Sequence, residues 1–123
     1  MSGANVVQGN FKEQFGELGY VGKFKSTTDR SNKVGVAVMY REDRFEPLEE
    51  LEIEFNDITQ DFTWQKDNVA TAVLLRQKSD GAKLCLGTAH IFWSPRRPDI
   101  KMMQSHFLCE KIEAFLKADT PDL

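Results

Sequence analysis

The 123-residue chain has only two cysteines, Cys85 and Cys109, and neither belongs to a short paired spacing that would read as a zinc site or a disulfide scaffold. A reducing compartment is the expectation that follows. The chain also lacks an excess of positive charge: 16 Lys and Arg stand against 19 Asp and Glu, for a net charge of -3. General electrostatic attraction to nucleic acid is thereby excluded, and any affinity for phosphate must come from a local patch. No apolar run approaches the ~18 residues that a membrane span needs. Met1-Ser2-Gly3-Ala4-Asn5 has neither the basic nor the apolar region of a secretion signal. These absences predict a soluble, cytoplasmic chain with no membrane partner. Repeats, low-complexity runs, a glycine-rich phosphate loop and a nucleophile elbow are missing too. What is there, at 41% hydrophobic and 28% charged, is the profile of one globular domain with a single core.

The apolar pattern gives an α/β (α+β) order. Val6-Val7 reads as the end of a strand, and Asn10 with Glu13 as an N-cap and its capping-box partner. Phe11, Phe15 and Leu18 form a helical stripe that Gly19 ends. Tyr20 to Lys25 and Val34 to Tyr40 read as strands around a polar loop. Leu48 to Phe55 alternates, with Leu51, Ile53 and Phe55 on one face and Glu50, Glu52 and Glu54 on the other. That acidic row is read as a solvated face rather than a metal cluster, because a cation site needs converging carboxylates. Val69 to Leu75 is continuously apolar, as in a central strand buried on both faces. Asp80-Gly81 predicts a type I′ turn that pairs Val69 to Gln77 with Lys83 to Phe92. A last helix is expected from about Asp99, as its cap, to Lys117, with Ile100, Met103, Phe107, Cys109, Ile112, Phe115 and Leu116 on its apolar side.

Chemistry is expected where the second arm of that hairpin runs out. Gly87-Thr88-Ala89-His90-Ile91-Phe92-Trp93-Ser94-Pro95-Arg96-Arg97 leads an apolar strand into an imidazole and then into a basic, proline-broken loop. A polar side chain at a strand end stands at the rim of a sheet, within reach of a substrate. Arg96, Arg97 and Lys101 concentrate positive charge beside Trp93, the combination that binds single-stranded RNA through phosphate contact and stacking. Cys85 precedes His90 by an odd number of residues, so the strand puts the two on opposite faces and a Cys-His pair is disfavoured.

An ordered set of short motifs, from about position 6 to 117, carries a family likeness: Leu18-Gly19-Tyr20, Gly35-Val36-Ala37, Arg44-Phe45, Asp67-Asn68-Val69-Ala70, His90, Trp93 with Pro95, and Asp99-Ile100-Lys101. In this the chain resembles the deadenylase branch of the endonuclease/exonuclease/phosphatase superfamily, the group of carbon catabolite repressor, Angel and nocturnin proteins. The resemblance implies part of a four-layer α-β-β-α sandwich, mainly one mixed or antiparallel sheet with covering helices, in a single partial domain over residues 1–123. With little more than one sheet present, its Val-, Leu- and Phe-rich inner face is expected to lack a partner.

The resemblance further implies a Mg2+-dependent 3'-5' exoribonuclease acting on single-stranded RNA such as poly(A). His90 takes the place of the catalytic imidazole that contacts the scissile phosphate. Pro95 takes the place of the proline against the terminal base, with Trp93, Arg96 and Arg97 as further substrate-binding residues. Gly9 stands where the family has a metal-binding Glu, Val34 stands where it has an Asp, and Glu13 sits too far into the helix to replace the missing ligand. The other ligands fall outside the matching motifs. No metal-binding residue is therefore assigned, and the chain is expected to be inactive alone. It would be a fragment or degenerate member of the family, or a non-catalytic RNA- or protein-binding module.

Overall fold

A computed structural model of the chain describes residues 13–29 and 34–119. The expectations placed on Val6-Val7, Gln8-Gly9, Asn10 and Phe11 lie outside the described residues. A first helix, α1, covers residues 13–17. Leu18 and Gly19 close it with N–H bonds to the carbonyls of Phe15 and Gly16, and Gly19 takes the left-handed φ of +86° that stops the helix. Leu18 is 66% exposed, so it leaves the apolar stripe predicted for it. Phe15 instead packs edge-on against Tyr20, ring centroids 6.1 Å apart.

Among the described residues five strands follow, all antiparallel to their partners. β1 (Tyr20–Ser26) and β2 (Gly35–Arg41) form a two-stranded ribbon. β3 (Phe45–Glu54), β4 (Val69–Gln77) and β5 (Lys83–Ala89) form a sheet in that order. β4 is central and buried from Val69 to Leu75, as its unbroken apolar run predicts. Its alternate side chains serve two layers. Val73 and Leu75 join Val38 of the ribbon in one core, with Tyr40, Phe45 and Leu86 against them. On the other face Ala70 joins Ile53 and Phe55, under Phe107 and Leu108 of the last helix, α2 (Pro98–Asp119). The inner face is therefore covered by the ribbon at Val73 and Leu75 rather than left open.

Three local features differ from the pattern read off the sequence. β3 begins at Phe45, ahead of Leu48, because a bulge between Pro47 and Glu49 shifts its register and hides the alternation. The β4–β5 turn is not a two-residue type I′ turn. Among the described residues of that turn only Gly81 has positive φ, at +77°, while Asp80 Oδ1 accepts the N–H of Ala82 and Gln77 N–H reaches the Ala82 carbonyl. In α2, Gln104 and Leu108 occupy the packed face and Cys109 is exposed. Asp99 is inside the first turn after Pro98, its carboxylate joined to Arg97, so it is not the cap. Beyond Leu108 the space between helix and sheet is an apolar cleft of about 400 Å³ lined by Ala70, Cys85, Gly87, Ala89, Ile112 and Leu116.

The acidic row of β3 does not simply solvate a face. Glu50, Glu52 and Glu54 lie opposite Val73, Thr71 and Val69, on the side that the ribbon covers, and Lys23 and Lys25 of β1 reach them. Lys23 Nζ stands 3.2 Å from Glu50 and 2.6 Å from Glu52, and Lys25 Nζ 3.2 Å from Glu54. The hydrogen bond from Lys23 is the main cause holding the Glu52 carboxyl below its ordinary value of 4.5, and it holds the Lys23 ammonium above 10.5. A depressed carboxyl adds stability that is complete above its unfolded pKa and lost as pH falls through the folded one. A raised ammonium adds stability that is complete below its unfolded pKa and lost as pH rises through the folded one. The pair's contribution is therefore expected to be flat between pH 4.5 and 10.5 and to fall on either side. Lys23→Met should flatten the acid limb of the unfolding free energy against pH, measured by urea titration, by up to about 1 kcal/mol, the scale of a partly exposed pair. Superimposable acid limbs in the two proteins would refute the cross-sheet pairing.

Candidate functional site

At one end of the sheet, loops from three places in the chain meet. β5 stops at Ala89, but the ladder runs one step further, since His90 N–H donates to the Val69 carbonyl at 3.0 Å. The His90 side chain, exposed, then stands at a pocket of about 320 Å³. Thr27 and Val34 from the ends of the ribbon line it, with Lys66, Asp67 and Asn68 from the segment before β4, and Phe92 and Trp93 from the segment after β5. Cys85 lies in the cleft beneath α2 instead, apart from His90.

The wall before β4 is built by a backbone exception. Asp67 has φ +63°, a conformation that Asp tolerates better than most side chains. Asn56, in the one-turn 3-10 helix Phe55–Ile58, clasps it at both ends: Asn56 Nδ2 donates to Asp67 Oδ1 at 2.8 Å and Asp67 N–H donates to Asn56 Oδ1 at 3.0 Å. The Asp67 carbonyl accepts the N–H of Thr28, which ties this wall to the end of the ribbon. The aromatic side of the pocket carries its own cation, as Lys66 Nζ sits 5.2 Å from the Phe92 ring centroid. Phe92 and Trp93 are tilted rings 6.3 Å apart, and Trp93 is 75% exposed.

Of the residues named from the sequence, the pocket brings together His90 and Trp93. Pro95 and Arg96 form an exposed turn just beyond it. Arg97 is engaged locally: its Nε and Nη2 donate to the two Asp99 oxygens at 3.1 and 3.0 Å, and its guanidinium lies 5.0 Å from the Trp64 ring centroid. That bidentate pair holds the Asp99 carboxyl below the usual carboxylate range and raises Arg97. Sequence reasoning missed Lys66, Phe92 and Gln104. A signal existed for Phe92, which shares His90's face of an extended chain by its spacing of two.

A magnesium site would need carboxylates that converge. The carboxylate in this pocket is Asp67, already accepting from Asn56, and among the described residues no three His, Cys, Asp or Glu side chains come together as a metal would require. Glu13 is exposed on α1. The described residues thus do not fit the ion on their own.

Paired antiparallel sheets carrying helices, with a polar rim at the strand ends, define a mixed α/β class shared with two solved structures. ANGEL2, described as a 2',3'-cyclic phosphatase in complex with adenosine-2',3'-vanadate, has a TM-score of 0.68 and 29% identity over 76% of this chain and 27% of its own. The human nocturnin catalytic domain with bound sulfate has a TM-score of 0.69 and shares the fold over 90% of this chain and 41% of its own, at 19% identity. No protein-family model matches. In sequence, the chain is 37% identical over 103 residues to the carbon catabolite repressor protein 4 homolog 3 of Arabidopsis thaliana, covering 82% of this chain and 22% of that protein. It is 32% identical over 104 residues to the probable CCR4-Not complex 3'-5'-exoribonuclease subunit Ccr4 of Encephalitozoon cuniculi (strain GB-M1), covering 75% of this chain and 21% of that protein. The chain belongs to the endonuclease/exonuclease/phosphatase superfamily, on its deadenylase branch. It spans about a fifth of the length of these curated relatives.

Proposed function

We propose that this chain is the middle portion of a magnesium-dependent 3'-5' exoribonuclease domain of the deadenylase kind, acting on poly(A)-like single-stranded RNA in the cytoplasm, and that alone it does not turn over phosphodiesters. The observation that carries the reading is the His90 pocket. An imidazole at a strand end, sharing its pocket with Lys66 and an exposed indole, offers groups for phosphate charge and a ring for a base. His90 touches the scissile phosphate and helps to stabilise the charge that grows on it. Trp93 and Pro95 lie against the terminal base, and Arg96 and Arg97 serve neighbouring phosphates. Magnesium, lacking a complete ligand set among the described residues, belongs in this reading to the remainder of the domain, which is the chain's first partner. The succession of α1, ribbon, sheet and α2 supports reading the chain as part of an α-β-β-α sandwich.

The test is a magnesium-dependent assay on 5'-labelled poly(A), with and without chelator. No shortening is expected in either arm. Chelator-sensitive shortening that His90→Ala abolishes would overturn the inactivity, and shortening that survives His90→Ala would overturn the role of the imidazole as well. A second reading, a non-catalytic module that keeps the rim as an RNA- or protein-contact surface, draws on Gly9 at the place of the metal-binding Glu. Gene sequence on both sides separates the two. Trp-Asn upstream with Asp-x-Asn and Ser-Asp-His downstream favours the exonuclease domain, and intact flanks without them favour the module.

A further inference from the structure

The pocket rim has a support that sits on neither of its loops. Gln104 lies on α2 with 1% of its surface exposed, an unusual place for an amide, and every polar atom of its side chain that can bond is used in holding other segments. Its Oε1 accepts the Phe92 N–H at 2.8 Å, and its Nε2 donates to Asn68 Oδ1 at 3.2 Å. Asn68, itself 6% exposed, is the residue that leads into β4 and lines the pocket wall, while its carbonyl accepts the Phe55 N–H. One side chain therefore joins the segment after β5 to the segment before β4, and both to the helix.

We propose that Gln104 is a positioning residue for the His90 site, setting the distance between its two walls. Besides it, the two walls are bridged by the contact of Lys66 Nζ with the Phe92 ring, which fixes neither backbone. Past Ala89, among the described residues, the ladder ends with the bond from His90 N–H to the Val69 carbonyl, and Ile91 then packs on the core of Ile53, Phe55 and Ala70. His90 and Phe92 line the same pocket two residues apart, so a fixed Phe92 backbone limits how far the His90 backbone can shift. Without the amide, Phe92 N–H and Asn68 would each lose a buried partner, and the cheapest remedy is for both to move toward water, which opens the pocket. A hydrocarbon of the same size could fill the space but not hold the two walls in register. This inference rests on the reading of His90 as the phosphate-facing residue only for its consequence in binding, and the strut itself can be tested separately.

The experiment compares the chain with Gln104→Met, and with Ile100→Val as a control that trims a fully buried neighbour on the same helix. Amide exchange by NMR, thermal midpoint and affinity for a short oligoadenylate are measured on each. In the unsubstituted chain the Phe92 amide should be protected to the same degree as amides of β4, and more than that of Trp93. Gln104→Met should raise Phe92 exchange at least tenfold and weaken oligoadenylate about as much as His90→Ala does. Ile100→Val should lower the midpoint while leaving both unchanged. If Gln104→Met does not fold, the unsubstituted chain still decides: a Phe92 amide exchanging as fast as Trp93 overturns the proposal. Unchanged Phe92 exchange in Gln104→Met overturns it too, as does faster exchange with unaltered oligoadenylate affinity. Failure of the unsubstituted chain to bind oligoadenylate would sink the RNA reading, and the exchange pattern would then judge the strut on its own.

Discussion

Leu75→Ala is expected to cost about 3 kcal/mol of unfolding free energy, the middle of the range for emptying a fully buried leucine site. Leu75 has no exposed surface, and it lies where the two sheets meet: Val38 comes from the ribbon, Val73 from its own strand, and Phe45 and Leu86 from the strands on either side. The loss falls on the contact that makes one core out of two sheets. Against a total stability of roughly 5–15 kcal/mol for a domain of this size, it removes a large fraction. Leu84 supplies the contrast, since it pairs with Leu75 across β4 and β5 yet is 48% exposed. Leu84→Ala should stay within about 1 kcal/mol. Urea unfolding followed by circular dichroism measures both. A Leu75→Ala loss no larger than that of Leu84→Ala would mean that the ribbon does not dock on β4.

The parts legible in the sequence are those fixed by local rules. The buried run of β4, the antiparallel pairing of the hairpin that delivers His90, the helix stop at Gly19 and the existence of the last helix follow from apolar period and from glycine at the chain reversals, although the turn type and the helix cap do not. The parts that were not legible depend on contacts between distant segments. The bulge after Pro47 reverses the in-out order of β3, so the acids come to face the ribbon, where Lys23 and Lys25 neutralise them. No count along β3 alone contains that information. Gln104 reads as a polar position on an amphipathic helix, and its burial makes sense only once Phe92 and Asn68 are beside it. The same holds for the site. His90 and Trp93 announce themselves as an imidazole and an indole at a strand end, whereas Lys66 enters the pocket because Asp67 takes a left-handed turn that Asn56 secures. Arg97 looked like part of a free basic patch, and its bond to Asp99 is a short-range pairing that composition does not distinguish from open charge.

Trp93→Ala should weaken binding of a short oligoadenylate by about 1–3 kcal/mol, roughly 5- to 150-fold, the worth of one base stacked on an aromatic ring. The indole is 75% exposed, and burying it on a base costs little beyond what the neighbouring Phe92 ring, 6.3 Å away, already fixes. Because stacking needs only a flat face, Trp93→Phe should recover most of the loss. Phe62, more exposed still at 85% but outside the pocket, is the control for general stickiness, and Phe62→Ala should change nothing. The salt dependence separates base from phosphate. Arg96→Ala should lower the slope of log K against log salt by about 0.7, the share of one contact on a single strand. Trp93→Ala should lower K at every salt concentration with the slope intact. For Arg97 a phosphate must compete with Asp99, which already holds its Nε and Nη2, so Arg97→Ala is expected to shift the slope less than Arg96→Ala. Fluorescence titrations at three salt concentrations read all of this. If Trp93→Ala and Phe62→Ala are equally silent, no base stacks at this rim, and His90 would be left facing a ligand that carries phosphate without a nucleobase.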